Sequence, residues 1–394
     1  MTRSKTARWF AVSVFALAST WNYLDRAALS SQAPRIRAEF HLNNESYGWL
    51  LSAFSLSYAL ASPAVGWFLD FFGLETGVTA AVGLWSLATV LTGFTRTFPQ
   101  LVASRIFLGI WESAGVPAAG KLNGTYLEPK NRALGAAITQ VGLSIGLIAA
   151  PFLVAKMQDW RAAFLVCGAA GLLWLPVWVF TRRTVPPLAP APRQRGASSL
   201  ALLAQPRLIV LSVANILWMM IYSVWSGWTT PYLVYKFGLT TETVAIYAWI
   251  PPLGAVLGGF AGGWLAKRSM ARSNDALQAR SAAILVSALG CLLTALVPWC
   301  SSPAQASTLM AISWFWCVAG SVNLYTIPVD LWGPERAGTA VSALVFSFGL
   351  MGTVINPWIG HMADLKRYAD VMILAAFMPL VSWVLVRWTG KLPG

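Results

Sequence analysis

Four ionisable side chains lie inside long apolar stretches of this sequence, where lipid or protein rather than water would surround a helix. Asp25 and Arg26 are adjacent, and Arg105 precedes Glu112 by seven residues. A seven-residue spacing puts two side chains on one helix face, about 10.5 Å apart. A charge at the centre of a membrane helix costs about 2.5–3.5 kcal/mol on insertion scales, and such residues usually serve a function.

These residue types could form an anion site that is coupled to protons. We expect Arg105 to hold the carboxylate of a bound anion while Glu112 is protonated, and to pair with Glu112 once the anion has left. Anion binding and proton binding would then favour each other reciprocally. The alternative is a structural ion-pair cluster that fixes helix packing. The helix that carries Asp25 and Arg26 would have to pack close enough to the helix that carries Arg105 and Glu112 for the two pairs to cross-pair.

The composition predicts that these helices belong to a polytopic membrane protein. Of the 394 residues, 57% are hydrophobic and 11% are charged, whereas a soluble domain carries about 25% charged residues. Continuous rather than alternating apolar stretches favour helices over a β-barrel. Twelve stretches are long enough to span a bilayer: 8–32, 46–69, 76–95, 98–121, 132–156, 160–180, 207–235, 243–266, 278–299, 304–329, 337–361 and 369–388.

The distribution of basic residues predicts the orientation. With twelve spans both termini lie on the same side, and the loops on that side carry more than twice as many Lys and Arg residues as the opposite loops. Cytoplasmic loops are the ones enriched in positive charge. We therefore expect a multi-pass protein of the cell (inner) membrane with both termini in the cytoplasm.

The chain also repeats itself at half its own length. Residues 40–45 (FHLNNE) correspond to residues 237–242 (FGLTTE), and Gly66-Trp67 corresponds to Gly263-Trp264. An accidental match among common helix-start residues is the alternative. The repeat predicts an all-α fold of two pseudo-symmetric six-helix bundles, 1–180 and 207–394, joined by a Pro- and Arg-rich cytoplasmic linker, 181–206. This is the layout of secondary transporters, whose substrate site lies between the halves.

The motifs around the four charges resemble those of the anion:cation symporter family of the major facilitator superfamily. The resemblance rests on residues 22–26 (NYLDR) of the first helix and Ser104–Ser113 (SRIFLGIWES) of the fourth. Residues 160–164 (WRAAF) and 328–330 (PVD) are similar to that family too, and the resemblance runs nearly end to end. Spinster-like lipid transporters share a first-helix motif of this kind, so that motif alone does not distinguish the two groups.

The resemblance implies proton-driven import of organic anions by alternating access, often of sugar acids such as hexuronates or aldonates. By the family pattern, Asp25 and Glu112 would carry protons and Arg105 would hold the substrate carboxylate, while Arg26 would pair within the network. Tyr23 and Tyr58 would line the site, although simple packing explains two tyrosines equally well.

Three further polar residues are candidates for substrate contact: Gln140, Asn323 and Asn356. Each is more readily explained by a hydrogen bond between helices. Glycines spaced by four residues, Gly258 with Gly262 and Gly259 with Gly263, favour close helix contact.

The sequence departs from the family pattern where polar side chains are common. Residues 66–75 (GWFLDFFGLE) lack the basic residues usual in this loop, and residues 349–352 read GLMG without the usual asparagine. Leu143 stands where many members place a polar side chain. A site with fewer hydrogen-bond partners discriminates less in favour of hydroxyl groups. We therefore expect a substrate that is less hydroxylated than a typical sugar acid.

Other functions agree less well with the residues. An exporter of amphipathic or lipid-like compounds with the same fold usually carries a G-P-x-x-G-G signature, which is absent, and a non-transporting anion sensor would differ only in lacking flux. No HExxH or phosphate-loop motif is present, and the four cysteines form no CxxC. We expect no enzyme activity, no cofactor or metal, and no nucleic-acid partner. We expect a monomer whose partners are a small organic anion, protons and the lipid bilayer.

Overall fold

The computed structural model describes residues 2–128, 131–188, 202–271 and 275–392, which are almost entirely helical. We number the helices in chain order. They are α1 (Thr2–Ser31), α2 (Ala33–Glu39), α3 (Asn44–Gly93), α4 (Phe98–Glu112), α5 (Gly115–Tyr126), α6 (Arg132–Ala155), α7 (Trp160–Thr184), α8 (Pro206–Trp218), α9 (Met220–Phe237), α10 (Thr241–Ala248), α11 (Ile250–Met270), α12 (Ala276–Cys291), a 3-10 helix (Leu292–Trp299), α13 (Pro303–Asp364) and α14 (Tyr368–Thr389).

Among the described residues, ten helical stretches are long and apolar enough to cross a membrane. The predicted spans 8–32 and 98–121 are also helical, but they are not among the ten. The first carries Asp25 and Arg26, which lower its apolarity. The second is divided into α4 and α5, of 15 and 12 residues, each too short to cross a membrane alone. The predicted all-α polytopic fold is confirmed, and the architecture is consistent with twelve spans.

Several helices end or bend where the backbone cannot continue its hydrogen bonds. Helix α3 contains two predicted spans, and its backbone leaves helical geometry at Gly73 (φ 81°, ψ 161°), a conformation that only glycine adopts without strain. The predicted span 98–121 is divided into α4 and α5 at Ser113 and Ala114. Pro117 has no N–H to donate to the carbonyl of Ser113 four residues earlier, so Glu112 becomes the last residue of α4.

The chain divides into two compact units, Met1–Phe40 with Ala53–Arg195, and His41–Ser52 with Gly196–Gly394. The boundaries that we predict for the bundles and their linker stay a prediction, because residues 189–201 lie outside the described residues.

The first unit is built around the packing of α1 on its neighbours. A Cβ atom on Gly142 or Gly146 of α6 would lie 2.3 Å from the carbonyl oxygen of Ala16 or Thr20, respectively. The small residues of α6 therefore let α1 approach at backbone distance. On another side of α1, Trp174 of α7 donates its indole N–H to the Val14 carbonyl at 2.7 Å. These contacts fix α1 within the unit and so position Asp25 and Arg26.

The second unit includes the first nine residues of α3, which pack against the C-terminal part of α13. Asp364 accepts hydrogen bonds from the backbone N–H groups of Asn44 (2.8 Å) and Glu45 (2.9 Å). A carboxylate here satisfies donors at a helix N-terminus that no intrahelical carbonyl can reach. His361 lies 3.2 Å from the Glu45 carboxylate.

Helix α11 packs on α13 through a row of glycines. A Cβ atom on Gly254, Gly258 or Gly262 would lie 2.0–2.3 Å from a backbone carbonyl oxygen of α13, whereas one on Gly263 would meet nothing within 4 Å. The predicted close contact therefore involves Gly258 and Gly262, together with Gly254. Gly259 and Gly263 lie on another face of the helix.

We expect Gly258→Ala to lower the melting temperature in detergent. The new Cβ atom would lie 2.1 Å from the Phe315 carbonyl oxygen, which would force α11 away from α13. Overpacking of this kind costs about 1–3 kcal/mol. Gly263→Ala is the matched control. It should leave stability unchanged or raise it slightly, since alanine is the better helix former by about 1 kcal/mol. Equal melting temperatures for the two variants would contradict this account of the α11–α13 contact.

A salt-bridge cluster in the first unit ties α2 to the start of α7. Arg161 donates to both carboxylate oxygens of Glu39, at 2.9 Å for Nη1 to Oε2, and its Nε donates to the Thr95 carbonyl at 2.9 Å. The indole N–H of Trp160 donates to Oε2 of Glu39 at 2.6 Å. Chiefly because of the hydrogen bonds from Arg161, the pKa of Glu39 is lowered from its ordinary value of 4.5.

A lowered pKa means that ionised Glu39 stabilises the folded state above pH 4.5 and that this contribution is lost as the pH falls through the lowered value. We expect Glu39→Gln to lower the melting temperature at pH 7 by roughly 2 °C, a modest value because the carboxylate is partly exposed. The difference from wild type should disappear at acidic pH. Glu75→Gln, which removes a carboxylate 3.9 Å from Arg182, is the control and should shift the melting temperature less. A difference that persists unchanged at pH 3 would exclude the linkage.

Candidate functional site

Asp25 on α1 and Arg105 on α4 form a buried ion pair. Nη1 of Arg105 lies 3.6 Å from Oδ1 of Asp25, and the two side chains are 1% and 3% exposed. The hydroxyl of Thr89 donates to Oδ2 of Asp25 at 2.7 Å, and Nη2 of Arg105 donates to the Thr92 hydroxyl at 2.7 Å. Two threonines of α3 therefore hold the pair in place.

Arg26 and Glu112 form a second ion pair between the same two helices. Nε of Arg26 donates to Oε2 of Glu112 at 2.6 Å. The Arg26 side chain is 24% exposed, whereas that of Glu112 is 0% exposed. The Arg26 side chain is therefore the partly exposed member of this pair, and its carboxylate partner is enclosed by protein.

The predicted pairing of Arg105 with Glu112 is wrong. Glu112 pairs with Arg26, and Arg105 pairs with Asp25. Two residues seven apart share a helix face, but their backbones are separated by two full turns. A neighbouring helix that carries both an acid and a base offers each of them a nearer partner. The two helices lie close enough for their charged side chains to pair across, which is what the interpretation requires.

Three aromatic rings surround the guanidinium of Arg26. Its Cζ atom lies 5.0 Å from the ring centroid of Tyr23 and 4.9 Å from those of Phe54 and Tyr58. Rings within about 6 Å attract a cation through their π faces. The structure thus brings the predicted Tyr23 and Tyr58 to the charge cluster. Phe54 was not among the predicted residues, although its position one helical turn before Tyr58 is the signal that would have found it.

The other predicted polar residues lie elsewhere. Asn323 is buried in the second unit and donates to the carbonyls of Gly262 and Ala319, both at 3.0 Å. Asn356 accepts from the indole N–H of Trp228 at 3.2 Å. Hydrogen bonds between helices, the more ordinary interpretation, account for both. The Gln140 side chain on α6 is exposed.

The second unit has no counterpart to the four charges at the equivalent positions. Tyr222, which the repeat aligns with Asp25, packs edge-on against the rings of Trp314 and Phe348, with centroids 5.5 and 5.6 Å away. Aromatic packing therefore replaces ion pairing there.

Comparison with known proteins places this architecture in a family. The family model described as Major Facilitator Superfamily matches residues 15–357. Among solved structures, a bacterial homolog of the human lysosomal transporter Spinster, in an inward-facing and unoccupied conformation, matches with a TM-score of 0.78 at 19% sequence identity, over 98% of this chain and 97% of that chain. At this identity the likeness shows the fold alone.

Three curated relatives cover most of the chain. The hexuronate transporter of Escherichia coli K12 is 24% identical over 99% of this chain and 95% of its own length. The probable sulfoacetate transporter of Cupriavidus necator is 28% identical, over 87% and 84% respectively. The D-galactonate transporter of Escherichia coli O6:H1 is 24% identical, over 91% and 90%.

The family match spans most of the sequence, and the relatives named above are membrane transporters rather than enzymes. The predicted resemblance and the absence of an enzymatic role are thereby confirmed. This chain belongs to the Major Facilitator Superfamily and is a multi-pass membrane transporter.

Proposed function

We propose that this transporter imports a small organic anion together with protons, by alternating access, with Arg26 binding the anion and Glu112 carrying a proton. The observation that carries the proposal is the ion pair between the partly exposed side chain of Arg26 and the enclosed carboxylate of Glu112. Of the two, Arg26 is the group that we expect a dissolved anion to reach.

The pair links anion binding to proton binding through competition. A substrate carboxylate or sulfonate that takes the N–H donors of Arg26 displaces Glu112. An ionised carboxylate left unpaired in a buried site costs several kcal/mol, so the displaced Glu112 takes up a proton. Release of the anion restores the Arg26–Glu112 pair and expels the proton. By linkage, each ligand strengthens the binding of the other.

This assignment exchanges the roles that the sequence suggested for the two arginines. Arg105 is enclosed and already engaged by Asp25 and Thr92. An anion could reach it only after those contacts open. Arg26 is accessible and lies among three rings that offer an apolar wall to the rest of the substrate. We propose that Asp25 holds Arg105 in place and thereby helps to position the site.

The substrate class follows from the site together with the relatives. The relatives are named for hexuronate, galactonate and sulfoacetate, all of them organic anions. Tyr23, Phe54 and Tyr58 present π faces to Arg26. Residues 349–352 and Leu143 also lack the polar side chains that are common in the family. The aromatic rings and the missing hydrogen-bond partners together favour an anion with fewer hydroxyl groups than a sugar acid. Aromatic and short aliphatic carboxylates and sulfonates are the first candidates.

The test is uptake into proteoliposomes of a panel of carboxylates and sulfonates, with and without an imposed inward proton gradient. Wild type should accumulate at least one of these anions only when the gradient is present. Glu112→Gln should still exchange internal for external anion, since the amide imitates the protonated acid, but should lose accumulation by at least tenfold. Glu75→Gln, at a half-buried carboxylate of the same unit that lies away from Arg26, is the matched control and should behave as wild type.

Two results would each reject one part of the proposal. Full gradient-driven accumulation by Glu112→Gln would remove its proton-carrying role. Tight binding of aldonates and hexuronates, with much weaker binding of less hydroxylated anions, would overturn the substrate class while leaving the coupling intact.

A further inference from the structure

A small cavity lies beside the two ion pairs, inside the first unit. Its lining includes Asn22, Asp25, Ser86, Glu112 and Cys167. The space accommodates about one water molecule. Both carboxylates of the charge cluster therefore border the same enclosed space.

Four polar atoms of this lining have no hydrogen-bond partner among the described residues. They are Nδ2 of Asn22, Oδ1 of Asp25, Oγ of Ser86 and Oε1 of Glu112. Each of the four residues is at least 95% buried. A buried polar group left without a partner costs about 1–3 kcal/mol. In native proteins such groups usually bond to an ordered water molecule or an ion.

The four atoms form a complementary set. Oδ1 of Asp25 and Oε1 of Glu112 accept hydrogen bonds, whereas the amide of Asn22 and the hydroxyl of Ser86 can donate. A water molecule offers two donors and two acceptors, and buried waters typically make two to four hydrogen bonds. One water molecule therefore matches the lining in number and in kind.

We propose that a single buried water molecule occupies this cavity and bridges Asp25 and Glu112. It donates to the two carboxylates and accepts from Asn22 and Ser86, so that Ser86 and Asn22 are positioning residues for the water. The bridge also provides a path for protons. When Glu112 is protonated, the Ser86 hydroxyl rotates so that it accepts from the water, which frees a lone pair of the water oxygen for the Glu112 O–H. Glu112 then gives its proton to the water oxygen, the O–H bond of the water that points to Asp25 breaks, and that proton passes to Asp25, so that the water is regenerated.

A bound cation is the less suitable occupant. Each carboxylate already faces a guanidinium, Glu112 that of Arg26 and Asp25 that of Arg105. The local charge is therefore balanced without an added ion. Two of the four free atoms, moreover, belong to groups that donate hydrogen bonds, and a cation would repel such donors.

The water itself is tested by an experimental structure at about 2 Å resolution or better. We expect one density peak within hydrogen-bond distance of the four atoms. An empty cavity would overturn the proposal. So would a peak replaced by a heavier ion after soaking in rubidium or thallium salts, since that would identify a cation site. This measurement does not depend on whether the chain couples transport to protons.

The consequence for transport rests on the proposed function and needs a separate measurement. Cys167→Val adds bulk to the cavity wall and should expel the water, and Ser86→Ala removes one of its partners. Both should reduce gradient-driven accumulation at least tenfold while anion exchange continues. Ser287→Ala is the matched control, because Ser287 is equally buried and its hydroxyl donates to the Ala283 carbonyl of its own helix at 2.9 Å.

The outcomes separate the two proposals. Undiminished gradient-driven accumulation in both Cys167→Val and Ser86→Ala, with folding verified by thermal melting, would overturn the proton path. A wild-type protein that carries no protons, but whose cavity holds the water, would instead contradict the proposed function and support the bridging water.

Discussion

Arg26→Ala is expected to lower the affinity for the transported anion at least 100-fold. Truncating one member of a buried, hydrogen-bonded charge pair typically costs 2–5 kcal/mol of binding energy, and 100-fold corresponds to about 2.7 kcal/mol. Arg26→Lys should retain part of the affinity, because an ammonium keeps the charge but not the planar fork of donors. Binding is measured by titration calorimetry in detergent and by counterflow exchange in proteoliposomes.

The same substitution also strips Glu112 of its partner, so a fold defect must be separated from a binding defect. Arg26→Ala/Glu112→Gln removes the unpaired carboxylate and should melt close to wild type while still failing to bind. Arg96→Ala, in an exposed arginine of the same unit, is the control for the loss of one positive charge. Wild-type affinity in the Arg26→Ala protein would refute the assignment of the anion site.

The location of the charge cluster could be predicted because charge inside an apolar stretch is conspicuous. Asp25, Arg26, Arg105 and Glu112 were selected by residue type and surroundings alone, and the structure brings all four together. Pairing between the two helices could be expected, but the choice between Arg26 and Arg105 as the partner of Glu112 could not be predicted. Adjacent residues on a helix point about 100° apart, so the rotation of α1 about its axis decides whether Asp25 or Arg26 faces Glu112. That rotation depends on the approach of α1 to α6 at Gly142 and Gly146.

Other features depend on contacts that no local pattern contains. The cavity beside Asp25 is lined by Asn22, Ser86 and Cys167, which come from three different helices. Asn22 belongs to the NYLDR motif, but nothing in the sequence neighbourhoods of Ser86 and Cys167 distinguishes them from ordinary small residues of membrane helices. The break between α4 and α5, in contrast, could be predicted from the sequence, because Pro117 lies four residues after Ser113. The prediction of one continuous span over 98–121 gave too little weight to that proline.

The Asp25–Arg105 pair provides the second large effect, and it concerns stability. Asp25→Asn or Arg105→Gln alone should destabilise the protein by about 3–5 kcal/mol, because each leaves the opposite charge buried without a partner. The double variant Asp25→Asn/Arg105→Gln removes both charges while keeping groups that can bond to Thr89 and Thr92. It should therefore be more stable than either single variant. Thermal melting of the four proteins in detergent gives the coupling energy of the pair.

The double variant also distinguishes the two arginines as anion ligands. If Arg26 holds the anion, a folded Asp25→Asn/Arg105→Gln protein should still bind it, with at most a modest loss of affinity from altered support. Loss of binding in a protein that melts near the wild-type temperature would instead assign the substrate carboxylate to Arg105, as the sequence first suggested. Additive destabilisation by the two single substitutions would contradict the pairing itself. The buried position of both side chains, 1% and 3% exposed, is the reason to expect strong coupling, because little water is available there to screen the charges.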